Sequence, residues 1–168
     1  MAEIAGFSLF ALLAILLAGL GCLLHVIGLS VVYWIVSDPF YSGAGSGLWQ
    51  QCNLFRCSPY RAELIPDYWR ATQAFVIIGL LVGIAGLALS ILSLIKKTKL
   101  FKLIAAIACF VAAGCILLAI IIFGAETRLS RGAQWGWGFI LCILGFSISW
   151  SLDIHHNTHF VIKIFKHN

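Results

Sequence analysis

Long apolar segments alternate with shorter polar segments along this chain. Four apolar segments cover about residues 7–29, 69–95, 103–123 and 137–154. A helix needs about 20 apolar residues to cross a hydrocarbon core of about 30 Å, and the four segments meet or approach that length. The pattern therefore predicts one domain, residues 1–168, built as an all-α membrane bundle of four transmembrane helices.

The first apolar stretch continues beyond the length that one span requires. Its continuation, Val31–Val36, is rich in β-branched and aromatic residues, which favour a strand. We therefore expect the helix at 7–29 to lead into the first strand of a sheet outside the membrane. The segment Met1-Ala2-Glu3 lacks the basic residues of a secretory signal, so we expect the first span to be retained.

Composition places much of the chain in lipid rather than in water. Of 168 residues, 62% are hydrophobic and only 10% are charged, and the mean hydropathy is +1.04. A soluble domain of this length could not bury so much apolar surface. The lipid bilayer is therefore an expected partner, and nucleic acid is not.

The distribution of charge predicts the orientation of the spans. Lysines occur without any acidic residue in the loop 96–102, and two more follow in the tail 155–168, whereas the loops 37–72 and 124–136 carry mixed charge. By the positive-inside rule the lysine loop and both termini face the cytoplasm, and we expect a multi-pass protein of the plasma membrane. The lysines of the loop are topology determinants or, in addition, contacts for anionic lipid: Lys96, Lys97, Lys99 and Lys102.

The two outer loops carry the chemistry that faces outwards. Cys52 and Cys57 lie in the first of them with four residues between, and on the oxidising side of the membrane they predict a small disulfide-closed hairpin. Such a small ring contributes about 2 kcal/mol by the chain-entropy argument; the alternative is two free thiols. Cysteines in the apolar segments are expected to remain unpaired. The arginines that are candidates for contact with a partner are Arg56, Arg61, Arg128 and Arg131.

The order of residues in and before the first outer loop forms a motif. Trp34 is followed by Gly47-Leu48-Trp49 and then by the two cysteines, and this order resembles that of the claudin, peripheral myelin protein and epithelial membrane protein superfamily. The run Thr72-Gln73-Ala74-Phe75, which opens the second apolar span, resembles the epithelial membrane protein branch more than the true claudins. The resemblance implies a small extracellular antiparallel β-sheet, formed mainly by the first outer loop, which Trp34 and Trp49 help to seat over the bundle.

Small and polar residues inside the spans have two interpretations each. One face of the second span carries Gly79, Gly83, Gly86 and Ser90, which permit close helix packing within the bundle or at an oligomer interface. His25 lies deep in the first span, where an imidazole serves structure or else senses pH or lines an ion pathway.

Neither catalysis nor a resident cofactor is expected. Apart from Arg70, at the outer edge of the second span, no arginine lies within a span. No Cys-x-x-Cys redox pair occurs, and Ser151, Asp153 and His155 belong to a single helix end rather than to an assembled triad. His155, His156 and His159 have a spacing that can hold a metal, but no cysteine or carboxylate completes a convincing site. We interpret them as part of a polar tail.

The resemblance implies three possible functions for such a tetraspan protein. The first is to organise cell-cell contact or junctions through the stapled sheet and lateral self-association. The second is to act as an auxiliary subunit of an ion channel or receptor, like the calcium-channel γ proteins. The third is membrane compaction, as in the myelin relatives. The expected partner is a membrane protein, either a second copy, a like tetraspan or a channel, in a homo- or hetero-oligomer.

Overall fold

A computed structural model of the chain describes residues 3–4, 7–36, 44–53, 56–96, 98–129 and 133–148. Four helices occur in this part of the chain: α1 (Leu9–Ser30), α2 (Asp67–Lys96), α3 (Lys99–Glu126) and α4 (Trp137–Ile148). The first three are long and apolar enough to cross a membrane. The prediction of a mainly helical membrane bundle is confirmed.

The helix bounds differ from the predicted spans by a few residues. α2 begins at Asp67, two residues before the predicted second span, and α3 begins at Lys99, four residues before the predicted third span. Both extensions add polar or charged residues, which an apolar pattern alone does not include. α4 is described for 12 residues, and residues 149–168 lie outside the described part.

Five short strands form an antiparallel sheet at one end of the bundle. In sequence these are β3 (Ile35–Val36), β4 (Gly45–Ser46), β5 (Gln50–Asn53), β6 (Arg56–Pro59) and β7 (Gln134–Trp135). Their order in the sheet is β6-β5-β4-β3-β7. The second outer loop thus supplies one edge strand to a sheet that the first loop mainly builds. A separate two-stranded pairing, β1 (Glu3–Ile4) with β2 (Phe7–Ser8), precedes α1.

The first strand of the sheet is shorter than the β-branched run Val31–Val36 predicts. Only Ile35 and Val36 pair with β4 and β7. The Val31 amide instead donates to the Ile27 carbonyl at 3.1 Å, which continues the helical pattern, and the Tyr33 carbonyl accepts from the Gly138 amide. Local strand propensity is therefore overridden by hydrogen bonds that join the end of α1 to the start of α4.

The tightest core lies where the bundle meets the sheet. Trp34, Leu48 and Phe123 are fully buried there, and Val76 and Cys142 lie just below them. Large aliphatic residues on the outward faces of the helices are exposed, such as Leu16 at 68% and Leu81 at 62%. Those faces are therefore available to lipid.

Small residues allow the helices to approach each other closely. A Cβ on Gly79 would lie 2.8 Å from Ile116 Cγ1 and 3.2 Å from the Ala112 carbonyl, and a Cβ on Gly86 would lie 2.8 Å from Cys109 Sγ. α2 and α3 are thus in contact along the glycine face of α2. On the other side of the bundle, Gly28 packs on Cys142 in the same way.

We predict that Gly79→Leu lowers the melting temperature of the purified protein without preventing membrane insertion. The larger side chain collides with Ile116 and with the α3 backbone, and interhelical contributions in membranes are about 1 kcal/mol each. The matched control is Gly114→Leu on α3, since a Cβ there meets nothing within 4 Å. Equal melting temperatures for the two variants would contradict the packing role of Gly79.

Candidate functional site

Trp34 connects the end of α1 to the centre of the core. Its indole N–H donates to the Gly28 carbonyl at 2.8 Å. Its ring meets Phe123 edge-on with centroids 4.9 Å apart and Phe139 at 5.7 Å. Aromatic pairs of this geometry contribute about 0.5–1.5 kcal/mol beyond the area they bury, so this tryptophan holds α1, α3 and α4 together beneath the sheet.

Two further tryptophans join the Gly-Leu-Trp segment to the helices. The Trp49 indole donates to the Leu29 carbonyl at 3.0 Å, at the end of α1. The Trp69 indole and the Gln73 amide, both on α2, donate to the Leu48 carbonyl at 2.9 and 2.7 Å. The Leu48 side chain itself is fully buried. The segment 47–49 is therefore bonded to two helices. It donates to α1 through Trp49 and accepts from α2 at the Leu48 carbonyl.

Gly47 occupies a position where no side chain fits. A Cβ there would lie 2.7 Å from the Val32 Cα and 3.0 Å from the Val31 carbonyl oxygen, which are backbone atoms that cannot rotate away. The Gly47 carbonyl accepts from the Tyr60 hydroxyl at 3.2 Å. Burial raises the pKa of that phenol, which keeps it protonated and able to donate.

The disulfide joins β5 and β6, as the cysteine spacing predicted. Cys52 and Cys57 are bonded, and they are directly opposite each other in the ladder, with Asn53 and Arg56 as the next pair. Cys52, on β5, is buried, whereas all four residues of β6 are exposed. The bond thus fixes an edge strand that projects from the molecule.

The surface around this hairpin combines charge with apolar side chains. Arg56, Arg61 and Arg128 are exposed, while Arg131 lies outside the described residues. A short 3₁₀ helix, Ala62–Leu64, follows β6, and its Leu64 is 76% exposed. We call Trp49, Arg56, Arg61 and Leu64 the hairpin surface.

The opposite end of the bundle carries the lysines. Lys96 is exposed at the end of α2 and lies 5.8 Å from the Phe101 ring, over its face. Lys102 is half buried and borders a cavity inside the bundle. Lys97 lies outside the described residues. Lys99 begins α3, but its side chain is not described. Contact of these lysines with lipid stays a prediction.

His25 is buried inside the bundle with 2% of its surface exposed. Its ring is close enough to the backbone of Val76 on α2 to interact with it. Among the described residues, neither ring nitrogen meets the geometry of a regular hydrogen bond, and the Thr127 hydroxyl is a second buried group of this kind. A buried polar group without a partner costs about 1–3 kcal/mol.

Several predicted residues meet at the site and others do not. Trp34, the Gly47-Leu48-Trp49 segment and the disulfide share the sheet end of the bundle, while Gly79, Gly83 and Gly86 lie along α2 between the helices. Ser90 donates to the Gly86 carbonyl at 2.9 Å. The histidines 155, 156 and 159 fall outside the described residues. The cysteines of the apolar segments, which we expected to form no disulfide, are thiols: Cys22, Cys109, Cys115 and Cys142.

Sequence reasoning missed the anchors that α2 and α3 supply. Trp69, which had no assigned role, is buried and lies 4.9 Å from Phe123 between ring centroids. Gln73 belonged to a motif without an assigned role. A polar side chain one helical turn after a tryptophan, at the outer end of an apolar span, is a signal that could have found this pair.

Comparison with known proteins identifies the class. The model of the PMP-22/EMP/MP20/Claudin family matches residues 7–151. The match covers most of the chain, including the sheet, the disulfide and all four helices, and the chain belongs to this family. Members of the family are structural membrane proteins rather than enzymes.

Individual relatives support the same assignment. The lens fiber membrane intrinsic protein of Rattus norvegicus is 29% identical over 133 residues, which cover 74% of this chain and 76% of the relative. The protein of that name from Mus musculus has the same identity, and that from Homo sapiens is 27% identical over the same length. The similarity therefore extends over about three quarters of both chains.

We predict that Trp69→Phe lowers the free energy of unfolding by about 1 kcal/mol, the net contribution of one ordinary hydrogen bond. The phenyl ring keeps the aromatic contacts, and Gln73 still donates to the Leu48 carbonyl, so the full desolvation penalty does not apply. Trp137→Phe is the control, since Trp137 is 71% exposed. Thermal melting of the purified variants in detergent measures the difference. A loss as large in Trp137→Phe would assign the effect to ring size rather than to the hydrogen bond.

Proposed function

We propose that this protein organises cell-cell contacts or junctions in the plasma membrane, with the hairpin surface as its recognition element and with both termini in the cytoplasm. Family membership supports a role in membrane organisation. The single observation that carries the more specific proposal is the edge strand β6, which is fully exposed yet held in one shape by the disulfide.

An exposed edge strand presents unpaired backbone N–H and C=O groups to a partner. In most proteins such an edge is a hazard, and charged residues such as Arg56 limit indiscriminate pairing. Here the strand is also fixed by Cys52–Cys57 and by the tryptophan anchors beneath it. A fixed shape lowers the entropic cost of binding, which favours β6 as a surface for specific recognition.

Lateral self-association would use faces other than the glycine face of α2. Gly79 and Gly86 are covered by α3 within the chain, so a second copy cannot approach them without separating the two helices. The outward aliphatic faces remain, and the proposed oligomer is built from those faces together with the hairpin surface.

A second candidate function is that of an auxiliary subunit gripping a larger channel or receptor. Leu64, at 76% exposure beside Arg61, supports it. An apolar anchor next to an arginine is typical of the residues that dominate protein interfaces. Membrane compaction of the myelin type is the third possibility, and the same exposed hairpin would serve it.

The disulfide provides the first test. We predict that the Cys52→Ser/Cys57→Ser double variant inserts normally, because lipid burial drives the spans, but captures less partner in mild detergent. Identification of the co-purified proteins distinguishes the candidates: a second copy or a like tetraspan favours the junctional role, and an ion channel favours the auxiliary one.

Cys115→Ser on α3 is the matched control, since it removes a thiol that lies away from the sheet. Normal capture by the double variant would show that the stapled hairpin is not the recognition element. Reduced capture by both variants would indicate a general loss of stability.

Charge on the hairpin surface provides the second test. If monolayers expressing the protein form junctional strands, the double variant Arg56→Glu/Arg61→Glu should shift their permeability towards cations, and less so at high salt because exposed charges are screened. Lys96→Glu is the control, as it reverses one positive charge at the other end of the bundle. Strands with unaltered selectivity would rule out a paracellular path and leave adhesion. A lack of strands, together with weaker channel capture by the variant, would place the auxiliary role first.

A further inference from the structure

Two lysines lie at the ends of apolar runs that match the thickness of a bilayer. The runs 75–95 in α2 and 103–123 in α3 have 21 residues each, which is about 31 Å of helix at about 1.5 Å per residue. The hydrocarbon core is about 30 Å thick. Lys96 directly follows the first run and Lys102 directly precedes the second, so both lie at the boundary between acyl chains and lipid headgroups.

Exposed aliphatic side chains hold the turn between α2 and α3 at this boundary. Ile95 is 67% exposed and Leu100 is 64% exposed. Contact of such side chains with water is unfavourable, so the turn is seated with both of them among acyl chains. The lysine ammonium groups reach the headgroups on their flexible stems. A ligand of this turn is therefore sought among lipids rather than among soluble anions.

Lys96 and Lys102 come together from two helices. The Lys96 ammonium lies 5.8 Å from the centre of the Phe101 ring, and Phe101 is the residue before Lys102. Lys102 is half buried, and together with Leu94 of α2 it borders the cavity between the helices at the end nearest this turn. Both cations thus lie at the same end of the contact between α2 and α3. We call Lys96 and Lys102 the lysine pair.

The lysine pair has no counter-ion in its own helices. α2 and α3 carry no acidic residue between Asp67 and Glu126, which lie at the far ends of the two helices. Lys97 and Lys99 follow in the same turn and add to the positive charge. A partly buried cation is costly unless an anion pairs with it, so this place favours an anionic group that carries more than one charge.

Control of topology does not account for the position of Lys102. The positive-inside rule counts basic residues near the ends of a span and does not depend on their exact place. Three lysines before Lys102 already meet that requirement. Lys102 instead lies in the first turn of α3 and is half buried, which costs desolvation that an exposed lysine avoids.

We propose that the lysine pair binds the headgroup of a lipid that carries a phosphomonoester, the class of phosphatidic acid and the phosphorylated phosphoinositides. A phosphomonoester carries about −1.5 to −2 charges at pH 7, which two ammonium groups balance, whereas singly charged phosphatidylserine needs only one. With both termini in the cytoplasm, as proposed above, this lipid belongs to the cytoplasmic leaflet. The site is independent of the hairpin surface and of the function proposed for it.

Binding of lipids with identical acyl chains tests the proposal. The full-length protein is purified in neutral detergent. Native mass spectrometry then counts bound lipid over concentration series of phosphatidylserine, phosphatidic acid and a phosphatidylinositol bisphosphate. Both phosphomonoester lipids should bind about fivefold more tightly than phosphatidylserine, the factor that one additional lysine contact gives. Equal affinities for the three lipids would overturn the proposal.

Single substitutions test the two cations separately. Lys96→Gln and Lys102→Gln should each remove the fivefold preference while binding of phosphatidylserine remains, which also reports that the fold is intact. Arg128→Gln is the control, since it removes an exposed positive charge at the other end of the bundle, and it should keep the preference. A preference that persists in both lysine variants would refute the site.

An exchange of two residues distinguishes a defined site from general attraction by positive charge. The variant Thr98→Lys/Lys102→Thr keeps the composition and net charge of the turn but moves one cation to an exposed position. Thr98 makes no side-chain capping hydrogen bond to α3, so its replacement removes no such bond. Loss of the preference would support a site at Lys102. A wild-type preference would show that only the number of charges matters and would refute the lysine pair.

A soluble phosphate compound is the alternative source of the same chemistry. Inositol trisphosphate is therefore added as a competitor to the protein with bound phosphatidic acid. At equal concentration it should not displace the lipid, because it has no acyl chains to lie against Ile95 and Leu100. Displacement at equal concentration would assign the site to a soluble anion and overturn the lipid proposal.

Discussion

The structure depends on indole N–H groups that donate to backbone carbonyls where the bundle meets the sheet. Trp34 bonds to Gly28, Trp49 to Leu29 and Trp69 to Leu48. Each bond satisfies a carbonyl at a helix end or in a loop. The rings of Trp34 and Trp69 also fill the same core, whereas Trp49 remains 40% exposed. Very short strands, two residues long in three of five cases, could not hold a sheet in place without such anchors.

Glycines complement these large rings, because the absence of a side chain lets neighbouring backbones lie in contact. Gly47 lets the loop lie directly on the backbone of Val31 and Val32, and Gly79 and Gly86 let α2 lie on α3. In lipid the helices gain little from burying apolar surface, so close contact supplies much of the attraction between them. The sheet and the bundle thus rely on one principle, in which large aromatic rings fill the junction and glycines permit close backbone contact around it.

Most of the architecture was predictable from the sequence. The lengths of the apolar segments predict the membrane spans, and the motif in the first outer loop indicates the family. The disulfide was predictable as well, because two cysteines near each other on the oxidising side have few alternatives. The prediction of a strand at Val31–Trp34 was wrong. Strand propensity is a local property, and it does not include the hydrogen bond that this segment makes to α4, more than 100 residues away in sequence. Trp69, Gln73 and Phe123 were missed as anchors for a similar reason: their role depends on which carbonyl or ring they meet. The surroundings of His25 likewise become visible only when the helices are placed.

The Leu48 carbonyl accepts from both Trp69 and Gln73, which uses the two lone pairs of one oxygen. The consequence is a form of redundancy. If either donor is lost in the course of evolution, the other keeps the acceptor paired and the loop in register, whereas loss of both leaves a buried carbonyl without a partner. Substitutions at 73, and substitutions at 69 that keep an aromatic ring, should therefore be individually tolerated and jointly disfavoured, so that the two positions constrain each other's history although their side chains do not bond to one another.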